Sequence, residues 1–393
     1  MMSRSFKTEI PSGVRDLMPG EAWCKRELER EISDIFRAWG YQEVVTPAFE
    51  YFDVLKIGQR DEQLDLMYKF IDRQGRILAL RPDMTTPIAR LTASRQKRGP
   101  FPLRLFYIAN VFSYEEPQAG RQREYYQAGV ELIGSSSPEA DAEVLALTVE
   151  VLKKIGLQNF KLSVGQIDIF NGLMEELEVA EEVKKEIKTT ISNQNFVGVE
   201  EILHNQKLPE KEIDKVMQII TLRGSRRELE SIRPMLTSAK ALKALDNLEE
   251  VFAVLTDYRL DRYVDLDLGL LRDFDYYTGL VFEGSALGLG FPICGGGRYD
   301  GLLGQFGLPC PATGFALGIE RIMLALERQG HSRDFKNLDY IIEYESHRRL
   351  EAFDKAAQLR AEGHRVVTRD RRSGVRLNSE DSMFSDAKVI TLD

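Results

Sequence analysis

Four short stretches concentrate side chains able to hold a small polar molecule. In VFSYEEPQAGRQREYYQAGVELIG, residues 111–134, the second half alternates. Tyr125, Gln127, Gly129 and Glu131 share one side of a strand, and Tyr126, Ala128, Val130 and Leu132 the other. At about 3.3 Å per residue, Gln127 and Glu131 stand about 13 Å apart. An amide and a carboxylate flanking the bare Gly129 suit a molecule with a hydrogen-bond donor at each end. A half-exposed sheet face covered by water explains the same pattern. The first half of the stretch ends in Ser113, Glu115 and Glu116, and no arginine appears until Arg121 and Arg123, beyond the turn.

The run LALRPDMTTP places Asp83 and Thr85 at the end of an extended segment, beside Arg81 and Pro82. Asp83 suits an ammonium group, because a charge-assisted hydrogen bond is stronger than a neutral one; turn chemistry with a local ion pair is the plain alternative. In LLRDFDYYTGLVFEG, Arg272 precedes the adjacent Tyr276 and Tyr277. Its planar fork suits a carboxylate or phosphate, or it pairs with Asp273 or Asp275. The CGGGRYDGL run that follows permits close backbone approach to a ligand or to another strand. It matches neither the phosphate-loop nor the dinucleotide fingerprint. Finally, GFALGIERIMLAL runs into a helix with Glu320 and Arg321 in its first turn, where an arginine opposes the helix dipole unless an anion or a surface ion pair compensates.

The elements that must position these residues are legible in outline. Leu28, Ile32, Ile35, Phe36 and Trp39 recur at helical spacing and Gly40 can close that helix. The run YQEVVTP reads as a strand. SSSPEADAEVLALTVEVLKKIG is a helix that Ser137 can cap, with Pro138 in its first turn and Gly156 at its end. NFKLSVGQ reads as a strand. From about 168 to 258 the texture changes to short, charged amphipathic helices, and strand signals return in YVDLDLGLL, DYYTGLVFEG and GFPICGGGRYD. After a polar linker, strand and helix runs alternate from 338 to the end as a small α/β module. The expectation is an α+β domain on a mainly antiparallel sheet, covering 1–325 with a helical insertion at 168–258, a linker at 326–337 and the module at 338–393.

Composition narrows the function classes. A chain of 393 residues has room for a large core and smaller units. Its formal net charge of -9 and pI near 5.3 argue against a protein whose main work is gripping a phosphate backbone. Cys24, Cys294 and Cys310 are too scattered for a disulfide framework or a zinc site, and His204, His331, His347 and His364 show no ligand spacing, so neither a metal nor a cofactor is expected. The absence of a bilayer-length apolar stretch and of a signal core points to the cytosol, away from any membrane.

Taken together, the stretches resemble the catalytic core of histidyl-tRNA synthetase, a class II aminoacyl-tRNA synthetase. IPSGVRDLMP is similar to that family's opening segment, and LRPDMT to its segment for the amino acid's ammonium. EPQAGRQREYYQAGVELIG resembles the end of its second class motif. LRDFDYYTGLVFE and GGGRYDGL resemble its histidine-specific segments, and GFALGIER its third class motif. The resemblance covers nearly all of residues 8–325. It implies an antiparallel sheet flanked by helices, in a homodimer. It also places an amino acid's ammonium near Asp83, with Gln127 and Arg272 at the α-amino and carboxylate end and Glu131 and Tyr277 toward the imidazole, and counts Tyr276 among the histidine-binding residues. Arg121, Arg123 and Arg321 match nucleotide-facing positions, open to weak residual ATP or anion binding.

Departures from the family carry the functional expectation. Ser113 and Glu116 stand where the synthetase has arginines, the first of which holds carboxylate and α-phosphate while the adenylate forms. Serine cannot neutralise charge developing on phosphate, and a carboxylate there adds repulsion on the order of 1 kcal/mol or more. Asp83 is one methylene shorter than the synthetase's glutamate. The insertion, where a synthetase would approach the acceptor arm of tRNA, carries 12 lysines and arginines against 17 aspartates and glutamates over 168–250, a poor clamp for RNA. The terminal module resembles an anticodon-binding domain that stops early. A synthetase core with these losses is similar to the regulatory subunits of ATP phosphoribosyltransferase. That family works with a short catalytic subunit at the first step of histidine biosynthesis and confers feedback inhibition by histidine. The resemblance thus implies a non-catalytic protein, with no catalytic residue of its own and no tRNA partner. The alternatives are an active histidyl-tRNA synthetase with a degenerate second motif and an amino-acid ligase that reuses the core.

Overall fold

Helix α1 (Pro19–Ala38) buries Leu28, Ile32, Ile35 and Phe36, the apolar positions of its 3.6-residue repeat. It closes at Gly40, whose φ of 82° is open to a residue without a Cβ. There the N–H of Gly40 bonds the carbonyl of Arg37 and that of Tyr41 the carbonyl of Phe36, the paired bonds that satisfy a helix's last carbonyls. The computed structural model describes residues 8–95, 99–116, 122–271, 276–331, 338–373 and 387–393.

After α1 come β1 (Gln42–Glu43), β2 (Phe49–Tyr51), the short helices α2 (Phe52–Leu55) and α3 (Asp61–Asp65), β3 (Lys69–Ile71), β4 (Ile77–Leu80) and α4 (Thr85–Arg95). The hairpin β5 (Leu103–Phe112) and β6 (Glu124–Ile133) leads to α5 (Pro138–Lys154) and β7 (Phe160–Gln166). The insertion follows as α6 (Ile167–Glu176), α7 (Glu181–Ser192), α8 (Phe196–Asn205), α9 (Glu210–Ile220), β8 (Arg223–Gly224), α10 (Arg226–Ile232) and α11 (Ala239–Asp257). The chain returns through β9 (Val264–Asp267), β10 (Leu280–Ala286), β11 (Cys294–Arg298), β12 (Ala312–Gly318) and α12 (Ile319–Arg328). The C-terminal elements are β13 (Tyr340–Tyr344), α13 (Arg349–Ala361), β14 (Val366–Asp370) and β15 (Lys388–Leu392).

Nine strands form the main sheet in the order β1-β5-β6-β12-β11-β10-β7-β9-β8. Pairing is antiparallel from β5 through to β7 and parallel at β1/β5 and β7/β9. Strand alternation sorts side chains into two cores. Phe106, Ala128, Val130 and Leu132 join α1 and α5 in one; Leu105, Tyr107, Met84, Ile88, Tyr276 and Tyr299 make the other. The antiparallel trio β2-β4-β3 is a separate small sheet.

The chain divides into two compact units, one of Met1–Met18 with Lys25–His331 and the other of Pro19–Cys24 with Ser332–Asp393. In the second, β14-β13-β15 form a parallel sheet. Ile342, Tyr344, Ala352, Ala356, Leu359 and Val366 pack there as its core. Among the described residues no helix is long and apolar enough to cross a membrane.

Two local expectations change. YQEVVTP yields only the two-residue edge strand β1. Buried Arg81 takes the carbonyls of Thr46 and Pro47 instead, so the chain leaves the sheet. Ser137 occupies the N-cap of α5 but makes no cap bond with its hydroxyl, which lies 3.2 Å from that of Ser135. The glycine run of β11 serves strand packing: a Cβ on Gly296 would overlap the carbonyl of Gly314 in β12.

Candidate functional site

Glu131 lies toward the end of β6, between Leu105 of β5 and Gly314 of β12. A Cβ on Gly314 would collide with its Oε2, so glycine there lets the carboxylate lie across the neighbouring strand. Tyr299 donates its hydroxyl to Oε2, and the hydroxyl of Thr85, at the start of α4, donates to Oε1 at 2.9 Å. Glu131 is only 2 % exposed. Burial raises its pKa from 4.5 to about 8 against the pull of these two donors, and the nearby charge of Asp83 adds to the rise. Near neutral pH this carboxyl is therefore largely protonated.

Asp83 stands beside it, buried, with its pKa raised by desolvation. Its Oδ1 accepts the N–H of Thr86 at 3.0 Å and its Oδ2 the side-chain amide of Gln59 at 2.5 Å. The local ion pair with Arg81 that the sequence allowed is not formed. The Arg81 guanidinium donates to the carbonyl oxygens of Thr46, Pro47 and Asn110 and to Asn110 Oδ1.

Gln127 lines the same cavity four residues along β6, opposite Gly318 and Ala109. Between it and Glu131 the sequence suggested an empty gap at Gly129. That gap is taken: a Cβ on Gly129 would overlap the Tyr107 hydroxyl and the Phe315 carbonyl. The glycine makes room for a buried tyrosine, whose phenol becomes part of the cavity wall. Tyr276 and Tyr277 close another side, their ring centroids 4.8 Å apart, with Tyr276 5.9 Å from Tyr299.

The cavity encloses about 830 Å³. Among the described residues its wall carries the carboxylates of Asp83, Glu115, Glu116, Glu131, Asp267 and Glu283 and the guanidinium groups of Arg223 and Arg321. Arg223 is already paired with Asp267 at 3.0 Å. Arg321, in the first turn of α12, donates to the carbonyl of Pro292 at 2.8 Å. Arg123 does not line the cavity. Its guanidinium lies 4.1 Å from the centre of the Tyr114 ring and donates to the carbonyls of Glu115 and Ser12. Ser113 also stays off the wall, its hydroxyl 3.3 Å from Glu115 Oε1, whereas Glu116 faces the cavity. Arg121 and Arg272 lie outside the described residues. The three cysteines are free thiols. Among the described residues no group of histidine, cysteine and acidic side chains is arranged to hold a metal ion.

Asp83, Gln127, Glu131, Tyr276, Tyr277 and Arg321 thus meet at one cavity although the sequence spreads them over more than two hundred residues. Sequence reasoning missed Tyr107 and Tyr299, together with Ser192, Gln194 and Arg223, which the insertion contributes. Alternation in LRLFYIANVF does put Tyr107 on the face opposite Phe106, but nothing local says that it crosses to Gly129 of the next strand. Chemically, the described residues of the cavity offer acceptors for an ammonium and for ring N–H donors, aromatic walls for a flat group, and little positive charge for a polyphosphate.

The profile of the histidyl-tRNA synthetase family matches residues 13–322. A relative from Desulforamulus reducens, named ATP phosphoribosyltransferase regulatory subunit, is 48% identical over 368 residues, covering 93% of this chain and 91% of that protein. A crystal structure from Bacillus halodurans, described as an ATP phosphoribosyltransferase regulatory subunit/histidyl-tRNA synthetase, superposes with a TM-score of 0.90 at 34% identity. It covers 99% of this chain and 100% of its own. Histidyl-tRNA synthetase from Nostoc, 22% identical with a TM-score of 0.79 over 93% of this chain and 86% of its own, shares the fold. The α+β architecture, with its largely antiparallel sheet flanked by helices, a helical insertion and a small C-terminal α/β module, is thus that of the class II aminoacyl-tRNA synthetases. With that identity sustained over nearly its whole length, the chain belongs to the ATP phosphoribosyltransferase regulatory subunit family, which is built on the histidyl-tRNA synthetase core.

Proposed function

We propose that this chain regulates ATP phosphoribosyltransferase, at the first step of histidine biosynthesis, by binding free histidine, and that it has no catalytic activity of its own. The observation that carries this is the charge of the cavity wall. Among the described residues the wall carries six carboxylates and two guanidinium groups, and Glu116, at a position where the synthetase has an arginine, is one of the six. Asp83 takes the ammonium, Gln127 and Arg272 the α-amino and carboxylate end, and Glu131 with Tyr277 the imidazole, against the ring of Tyr276. The partner is the short catalytic subunit. Histidine acts by linkage: it shifts the assembly toward the conformation it binds more tightly, and only by the difference in affinity. This chain is a homodimer within that hetero-oligomer, works in the cytosol and uses no tRNA, metal or cofactor. Its domains are the synthetase-like core at 1–325, the linker at 326–337, of which 332–337 lie outside the described residues, and the module at 338–393.

Calorimetric titration of the chain with histidine, alone and with the short catalytic subunit, tests the proposal alongside phosphoribosyl transfer by the complex. Binding together with slowed transfer is expected. If histidine neither binds the complex nor slows it, the proposal fails. The second reading, an active synthetase, is favoured by the retained Arg321 on the cavity wall. Robust histidine-dependent exchange of pyrophosphate into ATP would establish it in place of regulation.

A further inference from the structure

Gln59 joins α2 to α3 and does not itself line the cavity. Its side chain nevertheless reaches the carboxylate most suited to an ammonium, donating from Nε2 to Asp83 Oδ2. With Oδ1 taken by the Thr86 N–H, both oxygens of Asp83 have a fixed donor, so the carboxylate has one orientation. The other end of the amide is the unusual part. Gln59 Oε1 is buried and has no hydrogen-bond partner among the described residues, and an orphaned buried acceptor calls for an explanation. The loop that carries Gln59 is also pinned from below. Gly58, at a φ of 76°, is packed so closely on Tyr276 and Leu302 that a Cβ would lie 3.1 Å from both.

We infer that Gln59 is a positioning residue for the ammonium subsite, holding Asp83 ionised and aimed into the cavity. This rests on the assignment of the cavity to a free amino acid. A hydrogen bond donated to a carboxylate favours its charged form, and Asp83 needs that help. It is buried and faces Glu131 and Tyr125 of β6 and Tyr107 of β5, while Arg81 points away to backbone carbonyls. The observed orientation commits the amide's donor to the charged form of the carboxylate and leaves Oε1 without a partner among the described residues. Arrival of an ammonium selects the ionised form, and the proton leaves to solvent.

The test compares Gln59→Met, isosteric without the amide, with the wild-type full chain. Its two probes are L-histidine and imidazole-lactate, the analogue with a hydroxyl in place of the ammonium. The expected result is histidine binding weakened about tenfold or more, the loss shrinking as pH rises, with imidazole-lactate binding unchanged. Equal losses for both probes, or histidine affinity with the wild-type pH profile, would overturn the inference while leaving the proposed function intact. Failure of the wild type to bind histidine would overturn both. Gln59→Ala, which removes the amide without adding bulk, replaces Gln59→Met if that variant melts early.

Discussion

The protonated Glu131 makes stability depend on pH in a direction opposite to that of most carboxylates. In the unfolded chain this group ionises near 4.5, whereas folded it keeps its proton to about 8. Between those values the native state binds the extra proton, so stability falls as pH rises. The contribution is fully present below the unfolded value, is lost progressively through the window and is gone above about 8. The difference corresponds to at most roughly 5 kcal/mol, and water entering the open cavity lowers it. Glu131→Gln imitates the neutral carboxyl in shape and has no charge to bury. Its hydrogen bonds rearrange, because the amide, with one carbonyl acceptor like the protonated carboxyl, brings a second N–H that must find a partner beside Tyr299 and Thr85. That costs about 1–2 kcal/mol at every pH. The variant should therefore be slightly less stable than wild type near pH 5 and more stable near pH 8.5. Urea unfolding across this range, with no amino acid present, measures the crossing. Parallel stability profiles for the two proteins would refute the account, since they would mean that Glu131 is ionised in the native cavity.

Two further substitutions probe the frame around the site. Arg298 is buried and pairs with the fully buried Asp141 of α5 at 3.0 Å, while also holding the carbonyls of Ser135 and Ser137. Arg298→Met should cost about 3–5 kcal/mol by stranding that aspartate, and Arg298→Met with Asp141→Leu should recover much of the loss in chemical denaturation. Gly129→Ala should cost about 1–3 kcal/mol, because the added methyl meets the Tyr107 phenol and a strand carbonyl that cannot both retreat. A change in the tyrosine near-ultraviolet signal should accompany it.

Much of the frame was legible because it repeats. Period-two alternation in β6 separates Ala128, Val130 and Leu132 from Gln127 and Glu131, and the two cores divide on that pattern. The 3.6-residue spacing of α1 and its closing glycine give that helix nearly residue by residue. What stayed hidden depends on neighbours distant in the chain. Tyr107 matters because β5 pairs with β6 in a register that sets it against Gly129. Gln59 matters because its loop folds under β4, and a glutamine between a glycine and an arginine carries no signal of that. Arg123 matches a nucleotide-facing position by family resemblance. Its actual partners are a tyrosine face and two backbone carbonyls, which no spacing rule reveals. The short β1 was overread since strand propensity in YQEVVTP says nothing about whether a second partner strand is present.

The helical insertion leaves the sheet at β7 and re-enters at β9, two strands that lie side by side with Leu162 opposite Val264. The excursion thus departs and comes back within one strand spacing, about 4.8 Å, so its length places little demand on strand register, although Leu245, Leu248 and Phe252 of α11 share a core with α5. Yet Ser192, Gln194 and Arg223 from that excursion form part of the cavity wall. Changing those few wall residues on the insertion retunes which molecules enter, leaving the carboxylate floor and the strands that carry it untouched.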